Sequence, residues 1–224
     1  MENLIEYCKD RYEEELEYRP SLSHVICWLL IAISIYSFYT LNEETLLDSI
    51  GKIKVSDLIG TESGVISSLT LTQLAFSIII ARTALIINNK ISQALFYLFS
   101  LKSDFNDLVI CITKQYLKAN SDESKASLAS KASALLEKHK KKLRNRLIIT
   151  DIAISFSIGN LIGTLNHANA TNITLSIIGA IASIVITWKS FHYFIEEILP
   201  YSIATNYSKG SLKEFNDLFE EAAK

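Results

Sequence analysis

The sequence predicts an all-α, polytopic membrane protein with four transmembrane helices and a cytosolic antiparallel helical hairpin between helices 2 and 3. Four long apolar blocks lie along the 224 residues, and the mean hydropathy is +0.24 although 21% of the residues are charged. Only 7 Gly and 2 Pro are present, too few for the frequent turns of an all-β protein. The near balance of 22 basic and 24 acidic side chains excludes a basic nucleic-acid-binding domain, and three scattered Cys exclude a disulfide framework.

Residues 1–22 are predicted to form an acidic N-terminal helix. From Glu2 to Pro20 the chain holds seven acidic and three basic residues, whereas a signal peptide begins with a short cationic segment. We therefore expect this helix to stay attached to the mature protein.

The four apolar blocks predict four spans, at residues 23–40, 64–88, 147–166 and 172–192. A helix needs about 20 mostly apolar residues to cross a hydrocarbon core about 30 Å thick. The second and third blocks contain one charge each, Arg82 and Asp151. The first and fourth reach this length once the aromatic residues at their ends are counted as interfacial. A soluble chain of this size could not bury four helices that are apolar all round.

Lys and Arg residues are concentrated in one connection, residues 89–146. That connection holds twelve of them, the predicted outer loop 41–63 holds two, and the predicted outer turn 167–171 holds none. Because cytoplasmic connections are enriched in Lys and Arg, we expect residues 89–146 and both termini in the cytoplasm. A composition rich in Ile, Asn, Lys and Ser is typical of bacteria, so the expected location is the bacterial inner (cytoplasmic) membrane.

Residues 89–146 carry apolar side chains at helical spacing, which favours the hairpin of two helices. This apolar stripe begins at Ile91 and is broken by Lys102; its further members are Leu95, Leu98, Phe105, Val109, Ile112 and Tyr116. Ser121 is the predicted N-cap of the second helix. The tail 193–224 ends in another amphipathic helix, which opens with capping-box spacing and presents Phe215 and Phe219 on one face.

Arg82 and Asp151 are predicted to form an intramembrane charge pair. Arg82 lies near the cytoplasmic end of the second block and Asp151 near the cytoplasmic start of the third, so their depths are similar. An ionisable residue in a membrane costs several kcal/mol unless it is paired or hydrated. A structural bridge is favoured over a switch or an element of an ion path.

Small residues at four-residue spacing mark helix packing in the third and fourth blocks. They are Ser155, Gly159 and Gly163 in the third and Gly179 and Ser183 in the fourth. Such residues let helix backbones approach closely. Packing of the two helices on each other and an oligomer interface are both compatible with this pattern.

A mildly polar stripe follows one face of the second block. Its members are Thr70, Gln73, Ser77, Ala81 and Ala84. Interhelical hydrogen bonding is favoured for this stripe over the wall of a water path.

A basic cluster lies directly before the third block. It comprises Lys138, Lys140, Lys141, Lys142, Arg144 and Arg146. Its expected role is to set topology and attract anionic lipids, at about 1 kcal/mol per charge. An acidic partner or DNA is the alternative ligand, and the glutamates of the N-terminal helix, Glu13, Glu14, Glu15 and Glu17, could neutralise the cluster.

The sequence shows no pattern that is typical of catalysis. It has no His pair at ligand spacing, no nucleophile elbow, no phosphate loop and no acid pair within an apolar block. We therefore expect a non-enzymatic protein with no catalytic residue, metal or cofactor.

In outline, the whole chain resembles the KwaA family, the membrane subunits of the Kiwa anti-phage defence system. The resemblance extends from the helix ahead of Pro20, through VICWLLIAISIY and LAFSIIIARTALII, to IGNLIG and SIIGAIASIVITW. It rests on the length, the four spans and the cytosolic hairpin. It implies an oligomeric inner-membrane sensor that docks a cytosolic DNA-binding effector, KwaB, on the apolar stripe and on the Phe215 and Phe219 face.

Two functional hypotheses follow. The first is a non-enzymatic inner-membrane sensor and scaffold that forms a homo-oligomer, contacts membrane lipids and docks a cytosolic protein partner, without binding nucleic acid itself. The alternative is a small oligomeric ion channel or membrane-depolarising effector. The two hypotheses differ in whether the polar stripe of the second block lines a pore.

Overall fold

A computed structural model describes residues 2–18, 20–42, 45–54, 56, 58, 64–101, 105–119, 125–166 and 169–208. Every regular element in these ranges is helical. The helices are α1 (Glu2–Glu17), α2 (Ser21–Ile35), α3 (Leu46–Lys52), α4 (Val65–Ser68), α5 (Leu71–Ser100), α6 (Phe105–Ala119), α7 (Lys125–Asn166), α8 (Ala170–Tyr193) and α9 (Leu199–Ser208). The predicted all-α class is confirmed.

Four helical segments are long and apolar enough to cross a membrane. They are Ser21–Thr40, Leu71–Ser100, Ala129–Asn166 and Ala170–Asn206. Each contains one of the four predicted spans or most of it, so the expectation of four membrane-spanning helices is confirmed on length and composition.

The chain divides into two compact units. The span unit comprises Arg19–Ile91 and Leu147–Thr187, and the terminal unit comprises Met1–Tyr18, Ser92–Arg146 and Trp188–Lys224. Helices α5, α7 and α8 each contribute residues to both units.

The third span is the most enclosed helix of the span unit. In its most apolar window 56% of the residues are buried inside the protein, against 28% for the second and fourth spans. These two spans expose large apolar side chains such as Ile79 and Ile181, which a hydrocarbon environment accommodates. The internal core is formed chiefly by α2, with Ile31 and Phe38 fully buried, together with Ala81 of α5.

The second span begins later than the sequence pattern predicts. The short helix α4 ends at Ser68, and α5 begins at Leu71 rather than continuing from Gly64. A reciprocal capping box begins α5 after this break. The backbone N–H of Gln73 donates to Thr70 Oγ1 at 3.2 Å, and the backbone N–H of Thr70 donates to Gln73 Oε1 at 2.9 Å. The apolar residues on both sides of Thr70 and Gln73 make the two helices look like one continuous span in the sequence.

The terminal unit is built around helix α1. Residues at four-residue spacing along α1 are buried, namely Leu4, Cys8, Tyr12 and Leu16. The Tyr12 ring lies 5.7 Å from the Phe96 ring, 5.7 Å from Phe191 and 4.9 Å from Phe194, measured between centroids. The acidic N-terminal segment therefore supplies the aromatic centre of this unit.

The predicted hairpin region contains three helical segments. Helix α5 ends at Ser100, helix α6 covers Phe105–Ala119, and helix α7 begins at Lys125. The predicted apolar stripe is therefore shared between two helices rather than carried by one. The predicted cap at Ser121 and the C-terminal helix with Phe215 and Phe219 lie outside the described residues.

Two π-helical turns extend α-helices. The first, Tyr36–Thr40, prolongs α2, and the second, Phe194–Ile198, connects α8 to α9. The second turn buries Phe194, Ile195 and Ile198, and α9 continues with Leu199, Ile203 and Ala204 buried.

Candidate functional site

Asp151 is the centre of a buried polar node in the span unit. Its side chain has no solvent exposure. Ser23 Oγ of α2 donates to Asp151 Oδ2 at 2.9 Å, and Asn88 Nδ2 of α5 donates to Oδ1 at 2.6 Å. Both carboxyl oxygens thus accept a hydrogen bond, and one carboxyl group joins three of the four spans. Neutral donors compensate part of the cost of burying such a group.

The structure does not bring Arg82 and Asp151 together. Arg82 is exposed on α5, and none of the ion pairs among the described residues joins it to Asp151. Arg82 and Asn88 are six positions apart, so they point about 120° apart around the helix axis. Equal depth in the membrane is therefore not sufficient for contact, and Asn88 occupies the position that the sequence assigned to Arg82.

Two of the predicted small residues pack against α2. A Cβ atom placed on Gly159 would meet Ser34 Oγ, and one placed on Gly163 would meet the ring of Phe38. Ser34 lies in α2 and Phe38 in the π-helical turn that prolongs it, and both side chains are buried. The close approach therefore joins the third span to the first span, which neither interpretation of the sequence included.

The remaining small residues lie in or near the contact between α7 and α8. A Cβ atom on Gly179 would lie 3.1 Å from the Ala153 carbonyl oxygen and 3.1 Å from Ser157 Cβ. Ser157 Oγ donates to the Ser176 carbonyl oxygen at 2.8 Å. Packing of these two helices within one chain therefore accounts for Gly179. Ser155 and Ser183 are buried, and neither hydroxyl has a hydrogen-bond partner among the described residues.

The polar stripe of the second span makes contacts within the chain. Thr70 and Gln73 form the capping box of α5. Ser77 is buried, and its hydroxyl accepts a hydrogen bond from Trp28 Nε1 at 2.8 Å and donates to the Leu74 carbonyl. Ala81 and Ala84 are buried, as expected for helix packing.

Part of the basic cluster is neutralised by α1. Glu15 is 2% exposed, and its Oε1 lies 2.7 Å from Lys140 Nζ while its Oε2 lies 3.3 Å from Arg144 Nε. The Arg144 guanidinium also stacks on Tyr18, 3.7 Å from the ring centroid. One buried carboxylate therefore fixes two of the six basic side chains.

A second group of basic residues surrounds Tyr193. The Arg146 guanidinium lies 4.2 Å and Lys142 Nζ 5.1 Å from the centre of this ring. The Tyr193 hydroxyl and His139 Nδ1 are hydrogen-bonded at 2.7 Å, and Glu197 Oε2 lies 3.5 Å from the same His139 nitrogen. Lys138 and Lys141 of the cluster are exposed.

The apolar stripe is partly consumed by the core of the terminal unit. Phe105 is 4% and Val109 1% exposed, and the Phe105 ring packs edge-on against Phe96 at 5.8 Å. Tyr116 packs edge-on against Tyr201 at 4.9 Å. Leu95 and Ile112 are half-buried. Of the predicted docking residues within the described ranges, Leu98 alone is exposed.

Leu98 belongs to an exposed apolar patch that sequence reasoning did not identify. Tyr97 and Leu98 lie in the last turn of α5, Leu101 directly follows this turn, and their exposed fractions are 63%, 59% and 62%. We refer to these three residues, which are neighbours at three- and four-residue spacing, as the corner patch. Stripe periodicity could not identify it, because Tyr97 and Leu101 lie off the predicted stripe.

The described residues contain no group of three His, Cys, Asp or Glu side chains that could hold a metal ion. Cys8 is fully buried in α1, and burial raises the pKa of its thiol to about 12. Comparison with protein-family models, with curated proteins and with solved structures finds no match to this chain.

Proposed function

We propose that this chain is a non-enzymatic inner-membrane sensor and scaffold subunit that oligomerises and docks a cytosolic effector in bacterial anti-phage defence. The resemblance to KwaA suggests this biological setting. In this proposal residues 89–146 and both termini lie in the cytoplasm, in keeping with the distribution of Lys and Arg. The terminal unit is then the part of the protein that a cytosolic partner meets.

The corner patch is the observation that carries the proposal. Three large apolar side chains within one helical turn are each more than half exposed, namely Tyr97, Leu98 and Leu101. If the second span ends near residue 88, as the sequence predicts, this surface lies beyond the membrane and contacts water, and contiguous exposed apolar surface marks protein interaction sites. The exposed Lys138 and Lys141 add positive charge to the same unit, which suits a partner with an acidic rim.

The buried members of the stripe have a different role in this proposal. Phe105 and Val109 hold α6 in the terminal unit and do not face a partner. Substituting them would disturb the fold of the docking surface as well as docking. A test of docking must therefore use exposed residues.

The test is affinity purification of the tagged chain from its native host in mild detergent, followed by mass spectrometry. We expect a soluble protein in near-stoichiometric amount, and we expect the double substitution Leu98→Gln, Leu101→Gln to release it. Both side chains are exposed, so the variant should melt as the wild type does. Lys118→Gln, at another exposed position of the terminal unit, is the matched control and should retain the partner.

Two results would contradict the proposal. One is a partner that stays bound to the double variant but leaves the control. The other is a clean homo-oligomer with no partner, which would favour the ion channel instead. Flux measurements in liposomes would then decide, because a channel would conduct ions without any second protein.

A further inference from the structure

We propose that a groove between α2 and α5 in the span unit binds an anionic phospholipid, with Arg82 and His24 contacting the phosphate. This site is independent of the proposed docking function. The groove has a volume of about 230 Å³. It is lined by His24, Val25 and Trp28 of α2 and by Ile78, Ala81, Arg82 and Leu85 of α5. Two basic side chains thus share one apolar groove.

The position of Arg82 in the span unit favours a negatively charged ligand. Arg82 lies within the second membrane-spanning segment, where an isolated charge is costly unless it is neutralised or hydrated. Neither Arg82 nor His24 has an acidic partner among the described residues, and the carboxyl group of Asp151 accepts from Ser23 and Asn88. Arginine side chains in this situation extend toward lipid phosphates.

The apolar wall distinguishes a lipid from a free anion. Val25 is 47% and Ile78 52% exposed, so the groove opens onto the surface where hydrocarbon chains lie. Trp28 is held in place because its Nε1 hydrogen is donated to the buried Ser77 hydroxyl at 2.8 Å. The indole therefore offers a fixed apolar face to an acyl chain, while Arg82 offers a positive charge and His24 a ring nitrogen to a headgroup.

The net charge of the groove favours an anionic lipid over a zwitterionic one. Phosphatidylglycerol carries a net negative charge that Arg82 can neutralise fully. In phosphatidylcholine, the choline ammonium group opposes that same contact. A charge-assisted contact with the guanidinium corresponds to roughly a tenfold difference in affinity or more.

Trp28 provides a direct reporter of occupancy. The chain contains a second tryptophan, Trp188, so the measurement uses the Trp188→Phe background. Purified protein is reconstituted in neutral lipid and titrated with brominated phosphatidylglycerol or brominated phosphatidylcholine, whose bromines quench indole fluorescence on contact. We expect half-maximal quenching at a roughly tenfold lower mole fraction of phosphatidylglycerol.

Substitutions test which side chain provides the preference. Arg82→Ala should abolish it, Arg82→Lys should keep part of it, and Lys189→Ala, at an exposed basic position outside the groove, should keep it fully. Arg82 is exposed, so the alanine variant should fold, and unchanged Trp28 fluorescence without brominated lipid verifies this.

Three outcomes would overturn the proposal. The first is equal quenching by the two lipids in the wild type. The second is displacement of brominated lipid by millimolar glycerol phosphate, which would identify a site for free phosphate. The third is an Arg82→Ala variant that keeps its lipid preference but loses its oligomeric state in light scattering, which would assign the groove to an acidic group of a second copy.

Discussion

Replacing Asn88 with Ala tests the buried polar node directly. The substitution removes the amide that donates to Asp151 Oδ1 at 2.6 Å, in a site with no solvent exposure. Water cannot replace the lost donor without opening the span unit. The carboxyl group therefore keeps its desolvation cost while it loses one of its compensating hydrogen bonds.

The expected loss follows from these contacts. Leaving a buried acceptor without its donor costs about 1–3 kcal/mol, and truncation of a buried side chain adds a cavity cost, so we expect about 3 kcal/mol in total. For a chain of this size, this corresponds to a decrease of roughly 6–12 °C in the melting temperature. Asp151→Asn keeps an acceptor for Asn88 and a polar partner for Ser23, so its cost should be about half as large or less.

Thermal unfolding in detergent, followed by tryptophan fluorescence, measures both effects. Thr83→Ala is the matched control, because Thr83 is exposed on the same helix and bonds only locally, to the Ile79 carbonyl. Its change should be within about 0.5 kcal/mol. If Asn88→Ala melts with the control, the node does not stabilise the protein and the reasoning fails.

A double-mutant cycle separates this node from the charge pair that the sequence predicted. Since Arg82 and Asp151 are not in contact, the effects of Arg82→Ala and Asp151→Asn should add to within about 0.5 kcal/mol. A coupling energy well above 1 kcal/mol would show that Arg82 and Asp151 interact, and it would contradict the assignment of Asn88 as the partner of Asp151.

Three further predictions concern other contacts. Gly163→Ala should destabilise the protein by about 1–3 kcal/mol, because the added Cβ would overlap the buried Phe38 ring. Gly51→Ala is the control and should be neutral or slightly stabilising, because no atom lies within 4 Å of the added Cβ. Equal melting temperatures of the two variants would argue against close packing at Gly163. Glu15→Ala should lower the free energy of unfolding by about 3 kcal/mol, because it leaves Lys140 and Arg144 without their carboxylate. Glu14→Ala breaks an exposed ion pair with Arg11 and should cost under about 1 kcal/mol. A Glu14→Ala variant that melts at a lower temperature than Glu15→Ala would contradict the stabilising role of Glu15. Burial raises the pKa of the Cys8 thiol from 9.0 to about 12. Between pH 9 and pH 12 this thiol is therefore ionised in the unfolded chain but neutral in the folded chain. The stability that the neutral thiol contributes is complete below pH 9 and is lost as the pH rises toward 12. Cys8→Ala should therefore lessen the decline in stability above pH 9 by up to about 1.4 kcal/mol per pH unit, and an unchanged slope would show that the thiol is accessible to water.

The four spans could be predicted because length and apolarity are local properties. Their partners could not, because rotation around the helix axis decides which side chains meet. Arg82 lies at the depth of Asp151 but points in another direction. Asn88 and Ser23 are the partners of Asp151, and the sequence pattern does not indicate them because they are neutral residues at the ends of apolar blocks.

The start of α5 shows a signal that was present in the sequence but was not used. The capping-box pair of Thr70 and Gln73 has the three-residue spacing expected at a helix start, yet the apolar residues on both sides suggested a continuous span.

Helix α1 is a similar case. Its acidic composition was the property that the prediction used, whereas Cys8 and Tyr12, four residues apart, bury one face of this helix in a core.

The π-helical turn Phe194–Ile198 makes this segment tolerant of a one-residue change in chain length. A π turn accommodates one residue more than α-helix does over the same rotation, so deleting one residue there would restore regular α geometry and leave the later residues on their present faces. A deletion within α9 has no such compensation and would rotate the residues after it by about 100°, turning the buried Ile203 and Ala204 away from the core. Homologous chains should therefore differ by one residue in this turn more readily than in α9.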